Sequence, residues 1–321
     1  IGLPEAAREK RSVMQSPDPE RLRLVEPWYR NELLADWPVG LVAKMRGGGH
    51  KYDHGHVLVF AGGVGRGGAA RMAARSALRA GAGLVTVVCP PQALQENAAR
   101  LDAVMLRSLA RDGALAEVAD HRVSGFVLGP GMGVSCATRA LVQQALQVRS
   151  RDAQSNDPVV VLDADALTSF ADAPQELFDL VHARTVITPH EGEFARLFPD
   201  LGPALRGDLS KVEVARLAAR RAGCIVLLKG ADTIIAQPDG SASVHAACYD
   251  RVTPWLATAG AGDVLAGLIA GLAAPAGAAE LFNMVEIAAW LHVEAARSFG
   301  PGLIAEDLPD IIPRVLAAQQ G

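Results

Sequence analysis

From His56 onward the chain alternates short, continuously apolar runs with Ala-, Leu- and Arg-rich segments of helical period, and this alternation leaves few folds open. The apolar runs are His56–Phe60, Leu84–Cys89, Gly125–Leu128, Val159–Leu162, Thr185–Ile187, Cys224–Leu228 and Thr233–Ala236. Helical segments such as Ala69–Arg79 and Lys211–Ala222 lie between them. A strand that is apolar at every position is buried on both faces, which requires helices above and below it. The expected fold class is therefore α/β, a largely parallel central sheet with helices on both faces. Ligands of such sheets bind beyond the carboxyl ends of the strands, so the residues directly after each strand are the informative ones.

Composition supports a sizeable core, with 50% hydrophobic and 21% charged residues in a chain of 321. The net charge, 31 − 35 = −4, offers no basic field for nucleic acid or an anionic membrane surface, so neither is expected as a partner. Val264–Ala274, the longest apolar stretch, stops at Pro275 and is too short to span a bilayer. Cys89, Cys136, Cys224 and Cys248 form no C-x-x-C pair and read as buried thiols of a reducing, cytoplasmic compartment. Residues 1–49 lack regular alternation and are expected to be an arm or linker, leaving 50–321 as the domain. Glu5, Arg8, Glu9, Lys10 and Arg11 near the start provide no apolar signal-peptide core.

Several strand ends carry candidate chemistry. Gly62-Gly63-Val64-Gly65-Arg66-Gly67-Gly68 is a strand-to-helix turn that can set backbone amides against a phosphate, or can simply be a tight turn with close packing. Gly63, Gly65 and Gly68 match the G-x-G-x-x-G spacing of dinucleotide folds, yet Cys89-Pro90-Pro91 stands where the ribose-binding acid belongs. Gly129-Pro130-Gly131-Met132-Gly133 lets backbone approach a ligand, or is a plain loop. Asp163 and Asp165 can hold Mg²⁺ through water or cap the following helix, and capping is favoured for at least one of them. Thr188-Pro189-His190-Glu191 has the form of a capping box, with Thr188 as N-cap. His190 has no part in that box and can contact a ligand, or is simply a solvated first-turn histidine. Lys229-Gly230-Ala231-Asp232-Thr233 links two β runs, and its lysine can lie along a nucleotide's phosphates, or the segment is a plain hairpin turn.

Thr258-Ala259-Gly260-Ala261-Gly262-Asp263 opens an apolar helix. The free amides of a helix's first turn form an anion hole that can stabilise charge developing on a transferred phosphoryl group. Asp263, at the mouth of the same helix, can take a proton from a substrate hydroxyl. Capping alone would not require both glycines.

At Gly260-Ala261-Gly262-Asp263 the chain resembles the ribokinase-like superfamily, whose members phosphorylate small-molecule hydroxyls with this Asp as base. The full set of segments resembles one family within it, the nucleotide-dependent NAD(P)H-hydrate dehydratases. That set is His50-Lys51 through Gly55, Gly68-Ala69, Ala80–Val87, G-P-G-x-G, L-D-A-D-A-L, T-P-H-x-G-E and K-G-x-x-T, in family order over about residues 50–318. The resemblance implies repair of hydrated NADH or NADPH by dehydration at the expense of ADP or ATP with Mg²⁺, by phosphorylation of the ring hydroxyl and loss of phosphate. It implies Asp263 as the catalytic residue. The hydrated dinucleotide would be bound by Ala69, Gly131, Gly133, His190 and Asp263. The nucleotide would be bound by Lys229, Gly230, Ala231, Asp232, Thr233, Gly260 and Gly262, with no metal held by protein groups. Arg66 and the extra glycines of the first loop depart from the Gly-Gly-Ser opening of the family, and Ala261 stands where Ser, Thr or Met is common. Fusion to, or pairing with, an epimerase domain and a homo-oligomeric state are further expectations. The alternative function is a small-molecule kinase of the same fold.

Overall fold

A computed structural model describes residues 22–24, 49–150, 156–207, 209–247 and 251–319. The strands are β1 (Leu22–Leu24), β2 (His56–Phe60), β3 (Leu84–Cys89), β4 (Met105–Ser108), β5 (Gly125–Leu128), β6 (Val159–Leu162), β7 (Thr185–Ile187), β8 (Ile225–Leu228), β9 (Asp232–Ala236) and β10 (Ala242–Ala246). The helices are α1 (Gly68–Ala80), α2 (Leu94–Ala98), α3 (Cys136–Gln147), α4 (Asp165–Thr168), α5 (Pro174–Phe178), α6 (Glu191–Leu197), α7 (Lys211–Ala222), α8 (Ala261–Ala273), α9 (Leu281–Phe299) and α10 (Leu308–Ala317). One ten-stranded sheet runs in the order β1-β10-β9-β8-β7-β6-β5-β2-β3-β4. Only β9 opposes the others, pairing antiparallel with both β8 and β10.

Strands β2, β5, β6 and β8 are buried along their whole length, as their unbroken apolar runs require. Each face of the sheet carries its own core. Ala70, Ala73, Ala74 and Ala77 of α1 share one core with α8, α9 and α10. Val142 and Leu146 of α3, Phe194 of α6 and Val214 of α7 lie in the other. β2 pairs with both β3 and β5. The connection after β2 enters α1 on the first face, whereas that after β5 enters α3 on the second. The chain therefore reverses direction across the sheet between β2 and β5, which opens a crevice at their carboxyl ends.

Besides β1, two strands have no counterpart among the sequence's apolar runs. β4 is an edge strand with three exposed positions, and β10 alternates apolar residues with the buried polar Ser243 and His245. Apart from β1, which pairs parallel with β10, and Gly49, the expected arm over 1–49 lies outside the described residues. So does Cys248. Cys89 and Cys224 are buried free thiols as expected, but Cys136 is exposed. It begins α3, where a first-turn side chain faces solvent rather than the sheet. No helix among the described residues is long and apolar enough to cross a membrane.

Candidate active site

The loops that follow β2, β5, β6, β7 and β8 meet at one end of the sheet, because those strands are parallel neighbours. Their backbones touch. A Cβ on Gly62 would come within 1.9 Å of the Gly131 carbonyl, and one on Gly129 within 1.7 Å of the Asp163 carbonyl. Only glycine permits either approach. Ala69, the second residue of α1, lies beside Gly131, at 3.7 Å from the position its Cβ would take. The glycines of the G-x-G-x-x-G spacing are not the crowded ones: nothing lies within 4 Å of a Cβ on Gly63 or Gly65. The loop's steric demand falls on Gly62 and Gly67 instead, so the apparent dinucleotide fingerprint follows from turn geometry.

Ala164 has φ 48°, the one non-glycine in the left-handed region among the described residues. Such a backbone costs about 1–3 kcal/mol and has to be held by its surroundings. The kink turns the flanking acids to different partners. Asp163 Oδ1 accepts from Lys229 Nζ at 2.5 Å, and Asp165 Oδ2 accepts from the Gly133 amide at 2.8 Å. Neither side chain caps α4, whose N-cap position, Ala164, makes no side-chain bond. The expectation of a capping acid is thereby corrected: pairing across strands takes both carboxylates.

The β7–α6 junction also differs from expectation. The Thr188 amide and hydroxyl donate to the Leu162 carbonyl at 3.0 and 3.3 Å. The Pro189 carbonyl accepts from the Lys229 amide at 2.9 Å. Both residues are thus held by neighbouring strands, and the helix cannot start until Glu191. His190 is the N-cap. Its Nδ1 accepts from the amides of Gly192 (2.9 Å) and Glu193 (3.3 Å), while its own amide donates to Glu193 Oε2 at 2.9 Å. The capping box is thus His190 with Glu193, not Thr188 with Glu191. The ring's Nε2, 3.4 Å from Glu193 Oε1, keeps an exposed edge.

Lys229 leaves β8 into the β8–β9 hairpin, and its ammonium is the hub of the site. Besides Asp163 it lies 3.8 Å from the buried Glu193 carboxylate and 3.4 Å from where a Cβ on Gly262 would stand. Gly262 and Asp263 occupy the first turn of α8. This helix has no side-chain cap at its N-cap residue, Gly260, which takes φ 94°. The Ala261 amide donates to the Thr258 carbonyl at 3.3 Å, which leaves the amides of Gly262 and Asp263 as the first-turn donors beside the Lys229–Asp163 pair. A Cβ on Gly260 would meet Met72 Cε at 2.5 Å, so this glycine is required by packing as well as by its φ.

The Asp263 carboxyl receives no hydrogen bond from the described residues. Burial, reinforced by the negative charge of Asp163 and Asp165 and opposed by Lys229, pushes it up from 3.8 to about 7. A carboxyl poised there is matched to proton transfer at neutral pH. On the far side of the hairpin, Lys211 of α7 donates to the Asp232 carbonyl at 2.9 Å and crowds Gly230. Thr233 Oγ1 donates to the Gly230 carbonyl at 3.0 Å. Burial holds the Lys211 ammonium below its usual range. In the sequence Lys211 looks like a solvated first-turn residue, and only the α7–β9 packing reveals it. The part played by Glu193 was readable only as one letter of T-P-H-x-G-E.

Comparisons bear on what this geometry serves. The bifunctional NAD(P)H-hydrate repair enzyme of Moorella thermoacetica is 36% identical over 93% of this chain, which spans 56% of that protein. The chain thus spans about half the length of the bifunctional relatives it matches. The ADP-dependent (S)-NAD(P)H-hydrate dehydratase of Xanthomonas campestris is 32% identical over 84% of this chain and 90% of its own. Among solved structures, a ribokinase-like superfamily protein of Enterococcus faecalis superposes with a TM-score of 0.74 at 20% identity, over 95% of this chain and 99% of its own. That likeness shows the fold to be ribokinase-like. The ADP/ATP-dependent NAD(P)H-hydrate dehydratase of Bacillus subtilis, co-crystallised with ATP and Mg²⁺, gives 0.66 at 26% identity, over 84% of this chain and 92% of its own. The family model described as NAD(P)H-hydrate dehydratase matches residues 57–314, from β2 through the Asp263 turn into α10, and the chain belongs to that family.

Proposed function

We propose that the chain dehydrates hydrated NADH or NADPH back to the reduced dinucleotide, using ADP as phosphoryl donor. The observation that carries this reading is Asp263, a carboxyl brought to about 7 by its surroundings and standing in a helix turn whose Gly262 and Asp263 amides can meet a phosphate. The ring hydroxyl attacks the terminal phosphorus of the nucleotide while Asp263 takes its proton. The bond to the bridging oxygen breaks, and AMP leaves. Charge developing on the phosphoryl oxygens is met by the first-turn amides of α8 and by Lys229, both fixed beforehand. The ring nitrogen's lone pair then expels phosphate from the ring carbon. Loss of a proton from the neighbouring carbon restores the double bond.

In this reading the Lys229–Thr233 hairpin, with Gly260 and Gly262, holds the nucleotide. Ala69, Gly131, Gly133 and His190 hold the substrate. Among the described residues no three His, Cys, Asp or Glu side chains come together in a way that could hold a metal ion. Lys229 already engages Asp163. Mg²⁺ would accompany the nucleotide's phosphates and neutralise charge there. ADP is preferred because the Xanthomonas relative is named for it. The bifunctional relatives support an epimerase partner, fused or separate.

The test is to incubate hydrated NADH with protein, Mg²⁺ and either ADP or ATP, and to follow the near-ultraviolet absorbance of the reduced nicotinamide. Absorbance should return only with nucleotide. In Asp263→Asn the rate should fall by at least about 10²–10⁴, the usual worth of a general base. Absence of recovery with either nucleotide would sink the reading. A phosphorylated alcohol that accumulates in a small-molecule panel would replace it with a kinase.

A further inference from the structure

The glycine-rich loop between β2 and α1 is held by a group that the mechanism above does not use. Of the seven residues Gly62 to Gly68, five are glycine, so the segment on its own would spread over many conformations. In the fold it keeps one. The Gly65 amide donates to Glu96 Oε2 at 2.6 Å. Arg71, in the first turn of α1, donates to the other oxygen, Glu96 Oε1, at 3.3 Å and to Asn97 Oδ1 at 3.0 Å. Asn97 is fully buried and donates in turn to the Ala93 carbonyl at 2.9 Å. A Cβ on Gly67 would stand 2.5 Å from both the Arg71 guanidinium and Asn97 Oδ1, so this clamp closes directly on the loop backbone. The Gly65 amide, and after it Arg71, hold the Glu96 carboxyl below the usual carboxylate range.

A carboxylate of the protein thus occupies a loop amide that the sequence leaves open for a phosphate. The opposite side of the loop meets the candidate site. The Arg66 carbonyl lies 2.8 Å from where a Cβ on Gly131 would stand, and Ala69 lies beside the same residue. Gly65 and Arg66 are consecutive, so the bond that fixes the Gly65 amide on the outside also fixes the Arg66 carbonyl on the inside. The Glu96 and Arg71 side chains are 31% and 21% exposed, and a pair that open to water adds little to global stability. Its effect is on the choice of loop conformation. A ligand that binds only one conformation has its apparent affinity reduced in proportion to the fraction of molecules that hold it.

We propose that Glu96 is a positioning residue for substrate binding, which presets through the Gly65 amide the loop that seats Arg66 and Ala69 against Gly131. The proposal rests on the dehydratase reading, in which Ala69 and Gly131 hold the hydrated dinucleotide, and adds a residue that acts on the substrate through the loop. The β8–β9 hairpin, on the nucleotide's side, is braced by Lys211 instead. Loss of the clamp should therefore weaken the substrate and spare the nucleotide.

The experiment measures steady-state kinetics with hydrated NADH, ADP and Mg²⁺ on the wild type, Glu96→Ala, Glu96→Gln and Arg75→Ala. Glu96→Ala should raise the KM for hydrated NADH about tenfold, the scale of one lost charge-assisted hydrogen bond. Its kcat and its KM for ADP should stay within about twofold of the wild type. Glu96→Gln keeps an oxygen for the Gly65 amide and should recover most of the loss. Arg75→Ala breaks the more exposed Arg75–Asp310 pair on the same helix, at 2.8 Å, and should change neither KM. Hydrogen exchange followed by mass spectrometry should be faster in the 62–67 segment of Glu96→Ala than in the wild type, while melting curves shift little. An unchanged KM for hydrated NADH in Glu96→Ala, or unchanged exchange of the loop, would overturn the positioning role and leave the dehydratase reading standing. So would a rise in both KM values together with a fall in melting temperature, the mark of a merely structural pair. Failure of the wild type to restore hydrated NADH with either ADP or ATP would overturn that reading, and the role in substrate binding with it.

Discussion

Asp263 shows how one side chain acquires its chemistry from place rather than from type. Its sequence context, two glycines before an apolar helix, points to a carboxyl beside free amides. The rise to about 7 comes from burial and from Asp163 and Asp165, a hundred residues earlier in the chain. The rise also predicts a stability effect. Between 3.8 and about 7 the folded protein holds a proton that the unfolded chain has released, so stability falls as pH rises through that window. Asp263→Asn removes the ionisable group and its penalty. Above about pH 7 the variant should be the more stable protein, by roughly 2–4 kcal/mol at about 1.4 kcal/mol per pH decade, while near pH 4 the two should converge. Melting curves of both proteins across pH check this. A variant no more stable than the wild type at pH 8 would mean that Asp263 is not buried as described. Lys229 and Asp163 make the complementary point. Either alone would be a costly buried charge, and their contact at 2.5 Å makes both tenable.

At the scale of elements, the α1–α8 contact holds the Asp263 turn against the sheet. Ala73 and Ala77 of α1 face Gly267 and Gly271 of α8 so closely that a Cβ on Gly267 would lie 2.0 Å from the Ala73 carbonyl. Ser76 Oγ donates across the seam to the Val264 carbonyl at 2.9 Å. Gly267→Ala therefore sets two effects against each other. Helix propensity favours alanine by about 1 kcal/mol, but the overlap is with backbone, which cannot move aside, and overpacking typically costs about 1–3 kcal/mol. The overlap should win. Denaturant melts should show a net loss of stability, and the shift of α8 should raise the KM for nucleotide. Much of this level was legible in the sequence. The abundance of Gly and Ala signalled close helix packing, and the apolar runs marked the buried strands. β4 and β10 escaped because an exposed edge and a polar-alternating strand carry no apolar run. The start of α6 was misread because Thr188 and Pro189 obey the strands beside them rather than the local capping pattern.

Across the whole molecule, the site is assembled from residues 62 to 263 by strand order together with the docking of α8 on α1. Five loop segments from adjacent parallel strands share one rim, so a ligand on that rim ties the sheet's centre together. Since only the folded chain offers this surface, ADP at about a hundred times its Kd should add about 2.7 kcal/mol of stability. For a domain of this size the Tm should rise by roughly 4–5 °C. Asp263→Asn should retain this shift, because in the proposed reaction Asp263 faces the hydroxyl that attacks rather than the nucleotide. A thermal scan with ADP, ATP and no nucleotide checks it, and a shift with ATP but none with ADP would reassign the phosphoryl donor.

Local sequence by itself determined the alternation of strand and helix, the two-sided burial of the central strands, and the glycine-led opening of α8. These follow from side-chain period and backbone sterics within a few residues. Tertiary structure alone decided that Asp163 pairs with Lys229 rather than capping α4, that His190 caps α6 instead of standing free, and that Lys211 braces the β8–β9 hairpin. It also decided that Asp263 is buried among other charges. Each of these depends on which strands lie side by side and on what is removed from water. Those are properties of contacts between distant residues, which no local pattern encodes.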